Sequence, residues 1–126
     1  MIKVKHLMDA CEPDDGIRVW VEPIGLTRDL QEWCHVEQVL SHLGPPLPLW
    51  RWFATHPTGY PHFRGRYHEQ LQNGPYSAAL LALARASVNE NLTLLHSGDD
   101  PSRNSASALH EFLSELEARC RSDDDE

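Results

Sequence analysis

The chain has 126 residues, 40% of them hydrophobic, and a formal charge of -8. That length fits one compact domain with a self-sufficient core, and four of the negatives sit in Asp123–Glu126, leaving -4 for the rest. An acidic body repels phosphate backbones, so nucleic acid is excluded as a partner. No apolar stretch reaches the roughly 20 residues of a membrane helix, and Met1–Met8 is too short and too interrupted by Lys3, Lys5 and His6 to be a secretory signal.

Ile2 to Leu7 alternates apolar and polar residues, the period of a half-buried strand. Cys11–Gly16 is a turn cluster, and Ile17–Glu22 reads as a second strand with Ile17, Val19 and Val21 on one face. Pro23 has no N–H for a ladder, so this strand ends near Glu22. Thr27 caps a following helix in which Leu30, Trp33, Val36, Leu40 and Leu43 recur at helical spacing up to Gly44. Leu49–Phe53 forms a short aromatic helix closed by His56-Pro57. Phe63, Tyr67 and Leu71 mark another, ending at Asn73-Gly74-Pro75, and Tyr76–Ala86 is rich in the strong helix formers Ala and Leu.

Leu92–His96 is the third strand. Gly98 turns the chain, Asp100 is the expected N-cap and Pro101 the first residue of a final helix carrying Leu109, Phe112, Leu113, Leu116 and Cys120. A long helical excursion between the second and third strands implies a crossover and parallel pairing. The expected fold is therefore a small three-layer α/β domain. Its short, mostly parallel three-stranded sheet is flanked by about five helices. It spans residues 1–121, followed by an acidic disordered tail over 122–126.

Four stretches, in this order and spacing, resemble a known family. They are Asp14–Glu22 (DDGIRVWVE), Arg51-Trp52-Phe53 with His56-Pro57, Phe63–Tyr67 (FRGRY), and Leu92–Leu95 leading to Asp99 and Asn104. Together they are similar to the YeaO-like proteins, a bacterial group of small α/β domains of unknown function. The resemblance implies the α/β fold. It also shows departures, since a typical V-D-R-L-W-P-R-G is here Val21–Thr27 (VEPIGLT), and E-L-R-x-W-F is Pro48–Phe53 (PLWRWF). Glu22 keeps the acid, both arginines of the first motif are lost, and Arg28 is the nearest replacement.

In open α/β sheets ligands bind beyond the carboxyl ends of the strands. That edge gathers Glu22, Ser97, Asp99 and Asn104, with Arg18, Arg28 and Arg103 within reach. The expected ligand site is Glu22, Ser97, Asp99, Asn104 and Arg28, taking a small polar or anionic molecule. Capping of the final helix is the structural alternative for the acids at Asp99 and Asp100. Ser97 lacks the G-x-S-x-G context of a hydrolase nucleophile. His35 and His42 share a face of the predicted helix, and His56, His62 and His68 cluster after it, without zinc-site spacing, so no metal is expected. Trp50, Trp52, Phe53 and Tyr60 are core-like aromatics that also suit a planar ligand. Cys11, Cys34 and Cys120 are odd in number and contain no C-x-x-C, the pattern of reduced thiols in a cytoplasmic protein. No cofactor is implied, and enzymatic activity is left open. The alternative reading is a non-catalytic protein-interaction domain or a homodimer.

Overall fold

The computed structural model describes residues 1–124, with side chains over 1–122. Four strands, β1 (Ile2–His6), β2 (Ile17–Trp20), β3 (Gln38–Val39) and β4 (Leu92–His96), form one sheet in the order β1-β4-β2-β3. Every pairing is parallel: Ile2 and Ile17 both face Leu92, and the register runs on to His6 opposite His96 and Trp20 opposite Leu95. Among the described residues five α-helices accompany it: α1 (Arg28–Trp33), α2 (Leu47–Thr55), α3 (Tyr60–Asn73), α4 (Ser77–Asn89) and α5 (Ser105–Asp124). The expected α/β class and parallel sheet hold, with four strands rather than three.

β4 is buried on both faces, as a central parallel strand should be. Leu92 and Leu94 join Val19 and Val21 in the main core, which also takes Phe63, Tyr67 and Leu71 of α3, Leu80 of α4, and Leu109 and Leu113 of α5. The other face carries a smaller cluster, Leu7, Trp20, Cys34, Val36 and Leu95, with Leu26 and Leu30 of the α1 region packed on it. The predicted period-two and period-3.6 patterns are thus read out as two faces of one sheet.

Gly16, just before β2, has φ 63°, and a Cβ there would stand 2.0 Å from the Asn91 carbonyl oxygen. Ile17 N–H donates to that same oxygen at 3.1 Å. Only glycine allows this approach, which brings β2 alongside β4 at its first residue.

The helix expected from Leu30 to Leu43 is the main correction. α1 stops at Trp33, because His35 adopts φ 55°. Val36 N–H then donates to the Gln31 carbonyl at 2.9 Å and His35 N–H to that of Glu32 at 3.3 Å. This is a Schellman ending with histidine where glycine is usual. Glu37 and Leu40 donate to the carbonyls of Arg18 and Trp20, both at 2.9 Å, which makes β3 a short edge strand. The apolar spacing was real but served two structures: Val36 is tucked under the helix end, and Leu43 is buried in the main core. His35 and His42 consequently share no helix face, and His42 packs edge-on to Tyr76.

α5 continues to Asp124, past the start of the expected tail, and residues 125–126 lie outside the described residues. Among the described residues no helix is long and apolar enough to cross a membrane.

Candidate functional site

β2 and β4 are parallel neighbours, so the segments that leave their carboxyl ends emerge on one edge. Glu22 follows β2 by two residues and is only 3% exposed. Its carboxylate gathers donors from three other segments. Oε1 accepts from the Ser97 backbone N–H and from the Ser97 hydroxyl at 2.7 Å. Oε2 accepts from the indole N–H of Trp50 on α2 and from the Ser105 hydroxyl at 3.2 Å.

A carboxylate has about four acceptor positions, and here four donors meet them. Burying the charge is offset by these charge-assisted bonds rather than by a cation. Glu22 therefore ties together the end of β2, the turn after β4, α2 and the start of α5. Its charge reaches the core as well. Burial, and then Glu22, hold the Tyr67 hydroxyl well above the ordinary tyrosine range, and that hydroxyl donates to the Leu43 carbonyl at 2.6 Å.

The start of α5 differs from expectation. Asn104, not Asp100, is the N-cap: its Oδ1 accepts the Ser107 N–H at 2.8 Å, and Ala108 N–H donates to its carbonyl at 3.1 Å. Asp100 instead closes a local turn, accepting the Ser102 N–H at 2.9 Å and the Ser102 hydroxyl at 3.0 Å. Those two bonds, the backbone one first, lower its pKa below the ordinary carboxylate value. Asn104 Nδ2 donates to the Asp100 carbonyl at 2.9 Å, which fastens this turn to the helix start. Ser102 satisfies Asp100 locally, so the Asp-Pro pair does not cap α5 and Asn104 does.

Between this loop and α2 lies a cleft of about 400 Å³, within the size range of small-molecule sites. Trp50, Phe53, Ala54 and Pro57 form its apolar side, and residues 97–100 and 103–105 its polar side. Glu22, Ser97, Asp99 and Asn104 all line it, so the structure brings together four of the five expected site residues.

Arg28 is not among them. It opens α1, its side chain is 91% exposed, and its nearest carboxylate is Glu32 at 3.9 Å. Arg18 also misses the edge. Strand alternation sends it to the face opposite Val19, where it is fully buried and bonded to Asp15 at 2.8 Å and the Cys34 carbonyl at 3.1 Å. Arg103 supplies the cation that lines the cleft.

Trp50 was legible only as an aromatic, and its role as a donor to Glu22 was missed. The one available signal is general: a half-buried indole N–H needs an acceptor.

These contacts sort the cleft chemically. Glu22, Ser97 and Asn104 spend their polar atoms on the protein itself. Among the described residues the Arg103 and Asp99 side chains make no hydrogen bond to the protein, and both residues line the cleft. The Ser97 hydroxyl donates to Glu22 rather than to a histidine, and His96 Nδ1 accepts the Gly98 N–H at 3.0 Å. Among the described residues no group of three His, Cys, Asp or Glu side chains converges as metal ligands would, and Cys11, Cys34 and Cys120 are all free thiols.

The family model that matches the sequence is described as the inactive DUF488-N3 subclade, and it matches residues 1–126. No curated protein and no solved structure matches the chain.

Proposed function

The chain belongs to the DUF488-N3i family, the inactive DUF488-N3 subclade, and from that premise we propose that it is a non-catalytic domain holding a small polar ligand in the cleft at the C-terminal edge of its sheet. The observation that carries this reading is the pairing of a ligand-sized cleft with a carboxylate already saturated by the protein. In this account Glu22 builds the cleft, and Arg103 and Asp99 meet the ligand. One cation beside the acids Asp99 and Asp100 favours a polar molecule that presents both an acceptor and a donor, such as a zwitterion, over a bare anion. Trp50 and Phe53 offer it an apolar wall.

The proposal keeps the likeness to YeaO-like proteins, a single domain over 1–121, and a cytoplasmic setting, for which three free thiols are the support. It is tested by a thermal-shift screen of amino acids, small carboxylates, sugars and inorganic phosphate against the wild type and Ala54→Trp. Ala54 is exposed on α2, so a large side chain there fills the cleft without entering the core. A compound that stabilises the wild type and not Ala54→Trp supports the reading; equal responses from both proteins oppose it.

A second reading, self-association or a protein partner, is supported by Trp33, which stands 78% exposed on α1. Val39 on the edge strand β3 is exposed too. A monomer in sedimentation at high concentration would remove the homodimer form of it.

A further inference from the structure

His6 and His96 end neighbouring strands in register, with their rings edge to face and centroids 5.4 Å apart. Each ring does the same work. Nδ1 of His6 accepts the Met8 N–H at 3.0 Å, and Nδ1 of His96 accepts the Gly98 N–H at 3.0 Å. A nitrogen that accepts carries no hydrogen, so in each neutral ring the proton sits on Nε2. The pair is therefore committed as backbone acceptors and is not free to ligate a metal. An imidazolium has two donors and no acceptor. Protonating His96, which is 2% exposed, would set N–H against N–H at Gly98.

We propose that His96 is an acid-triggered latch on the turn after β4: protonation releases the Gly98 amide and loosens the wall of the cleft. Gly98 and Asp99 line both the cleft and a neighbouring cavity of about 240 Å³ that contains His6, His96, Lys5 and Asp9. One turn thus separates the two, with Glu22 holding it at Ser97 and His96 at Gly98. The consequence for ligand binding rests on the cleft reading above; the latch itself does not.

Every charged neighbour enters the balance. Burial disfavours the charged ring and lowers its pKa below the ordinary 6.5. Glu22 at the end of β2 opposes this, His6 on β1 adds to it, and Asp9 after β1 opposes it. Lys5 and Asp99 line the same cavity. Because the folded value lies below 6.5, the latch is closed at neutral pH and opens as pH falls through the folded value.

The test uses the isotope-labelled full chain without ligand, so its outcome is independent of whether the cleft binds anything. Amide exchange at Gly98, relative to its intrinsic rate, is followed beside the His96 ring resonance from about pH 7.5 to about pH 5. Protection at Gly98 should fall about tenfold, the scale of one lost hydrogen bond, in step with the ring. His96→Asn offers a carbonyl to the same N–H without a titrating proton and should give a flat profile. The proposal is overturned by Gly98 protection that stays constant while the ring titrates, by a ring that stays neutral throughout, or by an unchanged profile in His96→Asn. The wild-type comparison of ring and amide decides even where the variant does not fold.

Discussion

The Ser97 hydroxyl donates to Oε1 of Glu22 over 2.7 Å, across 75 positions of sequence. This contact, with the three others on the same carboxylate, makes the edge of the sheet a fixed frame. Removing the carboxylate leaves the buried Ser105 hydroxyl unpaired, along with the Ser97 amide and the Trp50 indole N–H. Glu22→Ala should cost about 2–4 kcal/mol in urea unfolding. Glu22→Gln should cost less, because it keeps the length and one oxygen. An Ala variant within about 0.5 kcal/mol of the wild type would contradict the frame.

The N-cap of α5 separates two readings of one junction. Asn104→Ala should destabilise by about 1 kcal/mol or more, since it removes both the cap and the tie to Asp100. Asp100→Ala should cost less than Asn104→Ala, because its bonds to Ser102 are exposed and local. Chemical denaturation of the two variants checks the order, and the reverse order would restore Asp100 as the cap.

Asp15 holds the opposite end of the sheet. It is fully buried, accepts from Lys5 and Arg18, and its carbonyl takes the Thr93 hydroxyl at 2.7 Å. Burial alone would raise its pKa, but the donors from Lys5, the Glu12 amide and Arg18 outweigh it and bring it down to about 2. A depressed carboxylate contributes fully above its ordinary value of 3.8 and loses that contribution as pH falls from 3.8 towards 2. Asp15→Asn should flatten this limb of the stability curve and cost about 3 kcal/mol at neutral pH, since Arg18 stays buried without its partner.

His35 stands where a helix ending favours glycine. His35→Gly should raise stability by about 0.5–1 kcal/mol by relieving the left-handed conformation. A loss of that size in thermal or urea unfolding would mean that the imidazole contributes more than the strain removes.

What the sequence made legible was whatever has a period. β1 and β2 alternate, β4 is a short apolar run, α3 repeats at Phe63, Tyr67 and Leu71, and the strand-end rule placed Glu22, Ser97, Asp99 and Asn104 around one cleft. What stayed hidden has no period. β3 is two residues long and exists because the chain turns at His35, just past α1, and returns to β2. Arg18 looked available because its charge suited a ligand, yet its place in the strand sends it inward to Asp15. Arg103 is legible as a candidate, whereas Arg28 stands out only as the nearest replacement for the two arginines missing from the family motif. The Trp50–Glu22 bond joins residues 28 positions apart, and no local pattern announces it.

The most direct measurement of the account is amide and indole chemical-shift mapping of the full chain with glycine, acetate, methylamine and inorganic phosphate as probes. The account predicts that the zwitterion moves the resonances of Gly98, Asp99, Arg103 and the Trp50 indole N–H saturably. Those of Leu81 and Leu116, in the groove between α4 and α5, should stay fixed, and Ala54→Trp should abolish the response. Shifts confined to the α4–α5 groove, or no saturable shift at the cleft with any probe, would contradict a ligand site at the strand ends.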